Sequence, residues 1–400
     1  MKTFTKMALF LLLVSVCIHT YLTLHHYPLK FGFSSGPSIC SINQTFDCDA
    51  VSVSAYSEFL GIPVSVWGGV TCFIVFLALL VSWLEWSENP ERLKRFAFAG
   101  SLALALASIV MGALSLLYMS NYCLFCMALY VLSFLIAAFI YPTLREPFFK
   151  SLPTDIAAYF TENRGILSLI LAIPIASFFI HRIALTNFGA GQMEHIVNSE
   201  VSGWLSQPMQ SLSVAPLLTM GPEKETARMT LSEFADFRCP HCKHASHTLH
   251  AFVNAHSDVR FEFYVFPLDG ACNSSIQSFN GLSCYLAKAV YCAGKQGQGW
   301  AFHDLIFQYQ DQLSENHEVE PLQVDLEKIT SHLPVKKDEL NACIASPDTQ
   351  EAIQYQAQQG IQLGIQGTPT IFANGKILEG GQLVPVLEAV YKKSAQSPRK

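Results

Sequence analysis

The sequence predicts a multi-domain protein in which an all-α membrane bundle precedes a soluble α/β domain. Of its 400 residues, 51% are hydrophobic and only 14% are charged, a balance too apolar for an ordinary soluble protein. The apolar residues concentrate before about residue 185, and the later half has the composition of a globular domain. Each half carries one Cys-x-x-Cys pair, Cys123 with Cys126 and Cys239 with Cys242. We therefore predict dithiol exchange between a membrane site and a water-facing site.

Charge and cysteine content narrow the class of function. The net charge of −6 and the lack of a long Lys/Arg block argue against nucleic-acid binding. The chain has twelve cysteines, several of them in the soluble half, which is typical of an oxidising compartment. We therefore expect the cysteine-bearing parts to work outside the cytoplasm.

Five stretches are apolar and long enough to cross a membrane, which takes roughly 20 residues. The first is predicted to stay as a span rather than to be cleaved as a signal peptide, because its apolar stretch is long and no small-x-small site follows it convincingly. Four spans make a bundle in residues 1–150, and residues 151–227 hold the fifth span and a Gly/Pro-containing linker. The five stretches are Met7–Leu24, Val64–Leu84, Phe96–Met119, Tyr122–Tyr141 and Ile166–Leu185.

Positive charge orients these spans. Lys and Arg precede the first span and recur between the second and third and between the fourth and fifth, whereas the opposite loops carry only Lys30. The basic side is the cytoplasmic one. The sequence thus predicts a multi-pass inner (plasma) membrane protein with its cysteine motifs and soluble domain on the periplasmic, extracytoplasmic side.

The membrane cysteines have the pattern of a redox site. Cys123 and Cys126 open the fourth span, where the helix dipole and free N–H groups favour a thiolate. The intervening Leu124 and Phe125 keep the site apolar, which suits a hydrophobic partner such as a quinone. Cys40 and Cys48 flank a polar segment in the first outer loop and can reach that pair. The alternatives are helix-packing cysteines or metal ligands, although zinc would want His or more thiolates at fixed spacing.

This region resembles the vitamin K epoxide reductase family in its bacterial form, over about Met7 to Pro142. The resemblance implies a four-helix bundle around a quinone, with Cys123–Cys126 as the active-site pair, Cys126 nearest the quinone, and Cys40–Cys48 as a shuttle pair. It also implies that Ser54 positions a quinone oxygen; Ser54 as a helix cap is the alternative, with Ser52 and Ser57 as competitors. The matching residues are Cys40, Cys48, Ser54, Gly61-Ile62-Pro63, Trp67-Gly68, Cys123 and Cys126.

Residues 228–400 are predicted to form a third region. A strand-like stretch, Arg228–Phe237, leads into Cys239-Pro240-His241-Cys242, and Thr368-Pro369 later precedes the hairpin signal Asn374-Gly375. This order resembles a thioredoxin fold, and the Pro-His dipeptide resembles its DsbA-like branch. Residues of about 276–363 then match the inserted helical subdomain of that branch.

The thioredoxin-like motif assigns roles to its residues. Cys239 at a helix N-terminus is predicted to be a stabilised thiolate, and Cys242 the more buried resolving thiol. His241 adds a donor or a positive charge, and Pro369 is predicted to be cis and to pack against the pair. Stabilising the reduced form makes the disulfide a strong oxidant.

The other histidines and cysteines of this domain are predicted to be structural. His244, His247, His250 and His256 are placed on a solvated helix face; since no carboxylate or thiolate accompanies them, we predict no metal site. Cys284 and Cys292 share a helix about 12 Å apart, whereas a disulfide needs Cα atoms within about 7 Å. That distance argues against a Cys284–Cys292 disulfide. We predict one or two structural disulfides, and of the two pairings that remain we prefer Cys272–Cys284 with Cys292–Cys343.

These expectations combine into one functional hypothesis. The chain is a quinone-dependent thiol oxidase that drives disulfide formation in reduced secreted or periplasmic client proteins. Electrons pass from Cys239/Cys242 to Cys40/Cys48, then to Cys123/Cys126, and finally to ubiquinone or menaquinone from the membrane pool. Two alternatives stay open: a membrane-tethered disulfide isomerase or reductase, and a non-enzymatic membrane-anchored chaperone or metal-binding module.

Overall fold

The computed structural model describes residues 2–32, 36, 38–42, 45–119, 121–161, 164–188 and 192–394. The chain separates into two compact units. The first comprises Met1–Leu29 and Ser38–Gly191, and the second comprises Lys30–Pro37 and Gln192–Lys400.

The first unit is helical. Its elements are α1 (Lys2–Lys30), α2 (Cys48–Val53), β1 (Glu58–Phe59), β2 (Ile62–Pro63), α3 (Val64–Trp83), α4 (Pro90–Tyr118), α5 (Leu124–Ile140), α6 (Phe148–Thr161) and α7 (Arg164–Asn187). Within the described residues, α1, α3, α4, α5 with the turn after it, and α7 are long and apolar enough to cross a membrane. The prediction of a helical membrane region with five spans is therefore confirmed.

The core of this unit is built from aliphatic side chains and small residues. Leu12, Leu79 and Ala97 are buried between the helices. A side chain at Gly100 would overlap Val75, so glycine there lets α4 approach α3 closely.

Helix α6 is an element that the sequence did not predict. Its Asp155 is buried and accepts a hydrogen bond of 2.8 Å from Arg95 at the start of α4. Arg92 lies 3.4 Å from the same carboxylate. Arg95, which the sequence analysis used only to orient the spans, therefore also fastens α6 to the bundle.

The second unit holds a mixed sheet. Its strands lie in the order β3-β5-β4-β6-β7, with β4 and β5 parallel and the other neighbours antiparallel. The elements are α8 (Met193–Ser206), β3 (Leu218–Met220), β4 (Met229–Ala235), α9 (Pro240–Ala255), β5 (Val259–Val265), α10 (Leu282–Lys295), α11 (Gly299–Gln308), α12 (Gln310–Ser314), α13 (Val319–Ile329), α14 (Lys337–Ala345), α15 (Pro347–Gln362), β6 (Thr370–Ala373), β7 (Lys376–Ile377) and α16 (Val384–Ser394).

This sheet confirms the predicted α/β fold with its helical insertion. Helices α10 to α15 lie between β5 and β6 in sequence. Asn374 and Gly375, which join β6 to β7, both have positive φ angles, of 50° and 76°. Two successive positive φ angles are what a tight hairpin turn requires, which is why the Asn-Gly signal was readable.

The linker before residue 228, in which the sequence predicts short helices, also contributes a strand to the sheet. It contains α8 and the edge strand β3, which pairs with β5. Trp204 of α8 is buried, and its indole N–H donates a hydrogen bond of 3.0 Å to the carbonyl oxygen of Ala373. Strand β3 has only three residues, which is too few for an apolar pattern to stand out from the surrounding turn residues.

Candidate active site

The loop between α1 and α2 is fastened to the start of α5 by backbone hydrogen bonds. The Tyr122 N–H donates to the Thr45 carbonyl oxygen at 2.8 Å, and the Asp47 N–H donates to the Tyr122 carbonyl oxygen at 3.1 Å. Asp47 lies directly before Cys48, and Tyr122 lies directly before Cys123. The two cysteine pairs are therefore brought together by a short ladder that the sequence did not indicate.

The two pairs form one buried cluster. Cys40, Cys48 and Cys123 are each at most 4% exposed and pack in a common apolar group that also contacts Cys126. Cys40 is joined to Cys48, and Cys123 to Cys126, with Cα–Cα distances of 5.7 and 5.2 Å. A buried cluster of two adjacent disulfides has the composition needed for exchange between them.

Helix ends position the reactive sulfurs. Cys48 begins α2, whose N-cap, Asp47, accepts hydrogen bonds from the N–H groups of Asp49 and Ala50. Cys123 is the N-cap of α5, and its Sγ accepts a hydrogen bond of 3.1 Å from the Cys126 N–H. A sulfur in this position is stabilised as a thiolate when the disulfide is reduced.

A cavity of about 290 Å³ lies beside this cluster in the helical unit. Cys48, Cys123 and Cys126 line it, whereas Cys40 is not among its described lining residues. Most of the wall is apolar, including Leu22, Val51, Leu104, Leu114, Leu129 and Ile136. The wall also carries several polar side chains, among them His19, His26 and Ser52. A largely apolar cavity with a few placed polar groups is the usual form of a small-molecule site.

Ser54 lies at the C-terminal end of α2. Its hydroxyl donates a hydrogen bond of 2.8 Å to the Val51 carbonyl oxygen, at the C-terminal end of α2. Ser54 is not among the described residues that line the cavity, whereas its two competitors, Ser52 and Ser57, are. Ser54 fits the helix-cap alternative, because the short α2 leaves carbonyl groups that its hydroxyl satisfies.

The second cysteine pair lies at the N-terminus of α9. Cys239 is the N-cap, only 8% exposed, and Cys242 in the first turn is fully buried. Both are free thiols in the structure, and the Cys239 thiol donates a hydrogen bond of 3.3 Å to the Thr368 carbonyl oxygen. The Thr368–Pro369 peptide bond is cis. Strand β6, which begins after Pro369, pairs with β4 and so places this proline segment beside the thiols.

The two thiols have opposite acidities. Hydrogen bonding from the Cys242 thiol, from Thr368 and from the N–H groups of Cys242 and His241 lowers the pKa of Cys239 to about 5, against the opposing effect of burial. Burial raises the pKa of Cys242 well above its usual range. The His241 side chain itself is exposed. Cys239 therefore has the properties of an attacking thiolate, and Cys242 those of a thiol that must lose a proton before it reacts.

We expect alkylation of reduced Cys239 by iodoacetamide to reach half of its maximal rate near pH 5, as followed by mass spectrometry of the Cys239 peptide. Removing the largest stabilising hydrogen bond with Cys242→Ala should move this midpoint upward. A wild-type midpoint near the ordinary cysteine value of about 8.5 would contradict the acidity assigned here.

Glu233 is a candidate site residue that the sequence reasoning missed. It lies on β4, is fully buried, and neither carboxylate oxygen has a hydrogen-bond partner among the described residues. Burial raises its pKa to about 8, and the negative charge of Cys239 adds to this shift. The same carboxylate contributes to the raised pKa of Cys242. An unpaired buried carboxyl is costly to keep, which makes Glu233 a candidate proton carrier for the thiols. Its one sequence signal was a charged residue inside an otherwise apolar strand.

The histidines of α9 are not a solvated face. The His250 ring stacks on His303, their centroids 5.0 Å apart, and packs edge-on against Trp300. Asp304 accepts from His303 at 2.8 Å and lies 3.5 Å from His250. Burial lowers the pKa of His250 to about 4. The premise that no carboxylate lies beside these histidines is therefore wrong, because α11 brings Asp304 to them from a distant part of the chain.

Four further cysteines form two disulfides in the helical insertion. Cys272 is joined to Cys284 and Cys292 to Cys343, with Cα–Cα distances of 5.9 and 5.8 Å. This is the preferred one of the two pairings that the helix geometry of Cys284 and Cys292 left open. The bridges fasten α10 to the loop after β5 and to α14.

These features have the composition of two thiol–disulfide redox sites, one in the helical unit and one in the α/β unit. The vitamin K epoxide reductase family matches residues 6–141, and the DSBA-like thioredoxin domain matches residues 230–392. The chain thus consists of a vitamin K epoxide reductase family domain followed by a DSBA-like thioredoxin domain, as the resemblances implied.

Individual relatives match parts of the chain. Disulfide bond formation protein D of Bacillus subtilis is 25% identical over 186 residues, which are 46% of this chain and 75% of that protein. The Na(+)/H(+) antiporter NhaA 3 of Salinispora tropica is 24% identical over 255 residues, 57% of this chain and 36% of the antiporter. The chain therefore spans about a third of the length of that antiporter. The structure of oxidised BdbD from B. subtilis aligns with a TM-score of 0.38 at 21% identity, over 48% of this chain and 98% of that one.

Proposed function

We propose that this protein is a quinone-dependent thiol oxidase that introduces disulfides into reduced extracytoplasmic client proteins. The observation that carries the proposal is the buried cluster in which Cys40–Cys48 and Cys123–Cys126 meet beside an apolar cavity. Neither pair alone distinguishes an oxidase from a scaffold. Two adjacent pairs, one of them reaching into the outer loop, provide the intermediate carrier that a relay needs.

The first exchange takes place in the thioredoxin domain. A client thiolate attacks Cys239 of the Cys239–Cys242 disulfide, and the second client thiolate resolves the mixed disulfide. The client gains a disulfide, while Cys239 and Cys242 take up two electrons and finish as a thiolate and a thiol. The low pKa of Cys239 drives this step, because a stable thiolate is a good leaving group.

The second exchange returns the domain to its oxidised form. The Cys239 thiolate attacks the Cys40–Cys48 disulfide, and Cys242, after losing its proton to Glu233, resolves the mixed disulfide. Cys40 forms the mixed disulfide with Cys239 of the soluble domain. Cys48, which lines the same cavity as Cys123 and Cys126, then reduces that inner pair. His241 and Pro369 shape the Cys239 site; the imidazole is open to the client, and the cis proline segment holds the thiols.

The last exchange is internal to the membrane domain. The Cys48 thiolate attacks Cys123 of the inner disulfide, Cys40 resolves the intermediate, and Cys126 is left reduced at the cavity wall. Cys123 and Cys126 would pass two electrons and two protons to a quinone held in the cavity as their disulfide re-forms. The residues present fit such an acceptor, since the wall is mostly apolar and carries an unpaired imidazole nitrogen on His19.

The proposed location follows from charge. The basic residues flanking the spans assign the cytoplasmic side, which leaves the four membrane cysteines and the thioredoxin domain on the extracytoplasmic face of the plasma membrane. We assign residues 1–150 to quinone reduction and residues 228–400 to client oxidation. The part between them anchors the second domain through α7.

The test is anaerobic mixing of the reduced full-length protein with ubiquinone or menaquinone in detergent micelles. We expect stoichiometric loss of quinone absorbance together with oxidation of one dithiol per quinone. Trapping the thiols of Cys239 and Cys242 in cells gives an independent reading, since an oxidase keeps them mostly disulfide-bonded. Absence of quinone reduction with a largely reduced Cys239–Cys242 pair would refute the oxidase and favour an isomerase or reductase.

A further inference from the structure

His19 stands on the cavity wall with no hydrogen-bond partner among the described residues. Its Nδ1 is buried and unpaired. Ser15 and Leu22, one turn away on either side along α1, line the same cavity, so the ring lies on the cavity-facing side of the helix. The Ser15 hydroxyl donates to the Leu11 carbonyl oxygen at 2.9 Å and is therefore already engaged. Buried polar groups in proteins are nearly always paired, so this imidazole points to an absent partner.

Helix α3 is shaped to admit this ring. A side chain on Gly68 would overlap the edge of the His19 imidazole, and one on Gly69 would come within 3.2 Å of its Cβ. The Gly68-Gly69 pair therefore creates the space in which a polar ring sits among apolar walls. If only packing mattered at this position, an aliphatic side chain would fill the wall without leaving a nitrogen unpaired. The two glycines therefore indicate that the imidazole itself is needed.

Several neighbouring polar groups are already engaged within the protein. His26 contacts the Ser52 hydroxyl through Nδ1 at 2.9 Å and Glu58 through Nε2 at 3.3 Å. Ser108 and Ser133 hydrogen-bond each other at 2.9 Å. His19 thus differs from these groups in having a ring free to bind a molecule in the cavity.

We propose that His19 donates a hydrogen bond to a ring oxygen of the quinone and so positions it for electron transfer from Cys126. A neutral imidazole offers one N–H donor, and a quinone oxygen can only accept. The oxygen gains negative charge as electrons arrive, so the bond from His19 strengthens during the reaction. The effect of removing it should therefore be larger on the rate than on binding. This inference rests on the proposed quinone-dependent function.

The test compares His19→Leu and His19→Gln with His181→Gln. The leucine variant removes the donor, and glutamine retains an N–H donor at the end of a side chain of similar length. His181 is a matched control, because it lies on α7, pairs with Tyr27 at 2.8 Å and is not among the described lining residues. Should His19→Leu fail to fold, His19→Met takes its place, since methionine repacks easily.

Two readouts use a short-chain ubiquinone. Binding is followed by quenching of tryptophan fluorescence, because Trp67 lines the cavity, and Trp67→Phe identifies the quenched signal. We expect His19→Leu to weaken binding about tenfold and to lower kcat/KM about a hundredfold, with His19→Gln restoring most of the binding. Unchanged quenching and rate in His19→Leu, with an active wild type, would overturn the role of His19. A wild type that reduces no quinone refutes the proposed function instead.

Discussion

Cys126→Ala is expected to abolish quinone reduction and to leave Cys239 and Cys242 reduced. Cys126 lines the cavity and is the leaving sulfur when Cys123 is attacked. Without it there is no inner disulfide to receive electrons, and the outer pairs have no outlet. Quinone reduction should fall to the background rate, because no other described thiol can take the place of Cys126 in the relay. The measurement is quinone absorbance under anaerobic conditions, with alkylation of Cys239 and Cys242 in membranes as the second readout.

Cys48→Ala is the matched variant for this experiment, because it interrupts the relay one step earlier. Dithiothreitol is small enough to reduce Cys123–Cys126 directly, so we expect dithiothreitol-driven quinone reduction to survive in Cys48→Ala and to vanish in Cys126→Ala. Reduced client protein should drive neither variant. Normal reoxidation of Cys239 and Cys242 in Cys126→Ala would refute the proposed relay, since electrons would then leave by another route.

The elements that could be predicted from the sequence are those whose signal is local. A membrane span is predicted from its own apolar residues. Five predicted stretches overlap five long apolar helices, which are α1, α3, α4, α5 and α7. The Cys-x-x-Cys pairs and the Asn-Gly hairpin are equally local, because helix-end chemistry and turn geometry are set within a few residues.

The features that the sequence did not predict depend on contacts between residues that are distant in sequence. Asp304 reaches His250 only because α11 packs on α9, and Asp155 explains Arg95 only once α6 folds back on the bundle. Ser54 illustrates a second cause. Ser52, Ser54 and Ser57 cannot be ranked from spacing alone, since which hydroxyl faces a cavity depends on where the short helix α2 ends.

Glu233 could not be recognised from the sequence, because its role depends on both a distant contact and local geometry. Its replacement should have a large effect on the second exchange. In the reduced pair the Cys239 thiolate lies close enough to raise the pKa of Glu233, which together with burial keeps the carboxyl mostly protonated at pH 7. In the mixed disulfide that thiolate is absent, so Glu233 ionises at lower pH. It can then take the proton from Cys242, whose own pKa is too high for it to react unaided. The negative charge is thus held by Cys239 and Glu233 in turn.

Glu233→Gln should therefore slow resolution of the mixed disulfide by about a hundredfold at pH 7, the size expected for loss of a positioned base. Acid quenching followed by non-reducing electrophoresis should show the mixed disulfide between Cys239 and its partner accumulating. In the wild type the resolving rate should rise with pH and level off below about pH 8, because Glu233 ionises at lower pH once the Cys239 thiolate is absent. This rise should be lost in the variant. Alkylation of Cys239 should keep its midpoint near pH 5, which shows that the first thiolate is intact.

Glu262→Gln supplies the control for a purely structural effect of the glutamate change. Glu262 is also buried in the sheet, but its carboxylate accepts hydrogen bonds from Arg260 at 2.9 Å and Ser232 at 3.1 Å. Its replacement should lower the stability of the domain by disturbing a paired charge, while the rate of resolution stays near that of the wild type. Equal slowing in both variants would mean that sheet integrity, rather than proton transfer from Cys242, limits the step. Slowing in Glu233→Gln alone places the unpaired carboxylate in the reaction, because the two residues share burial and chemistry and differ in whether their oxygens are already engaged.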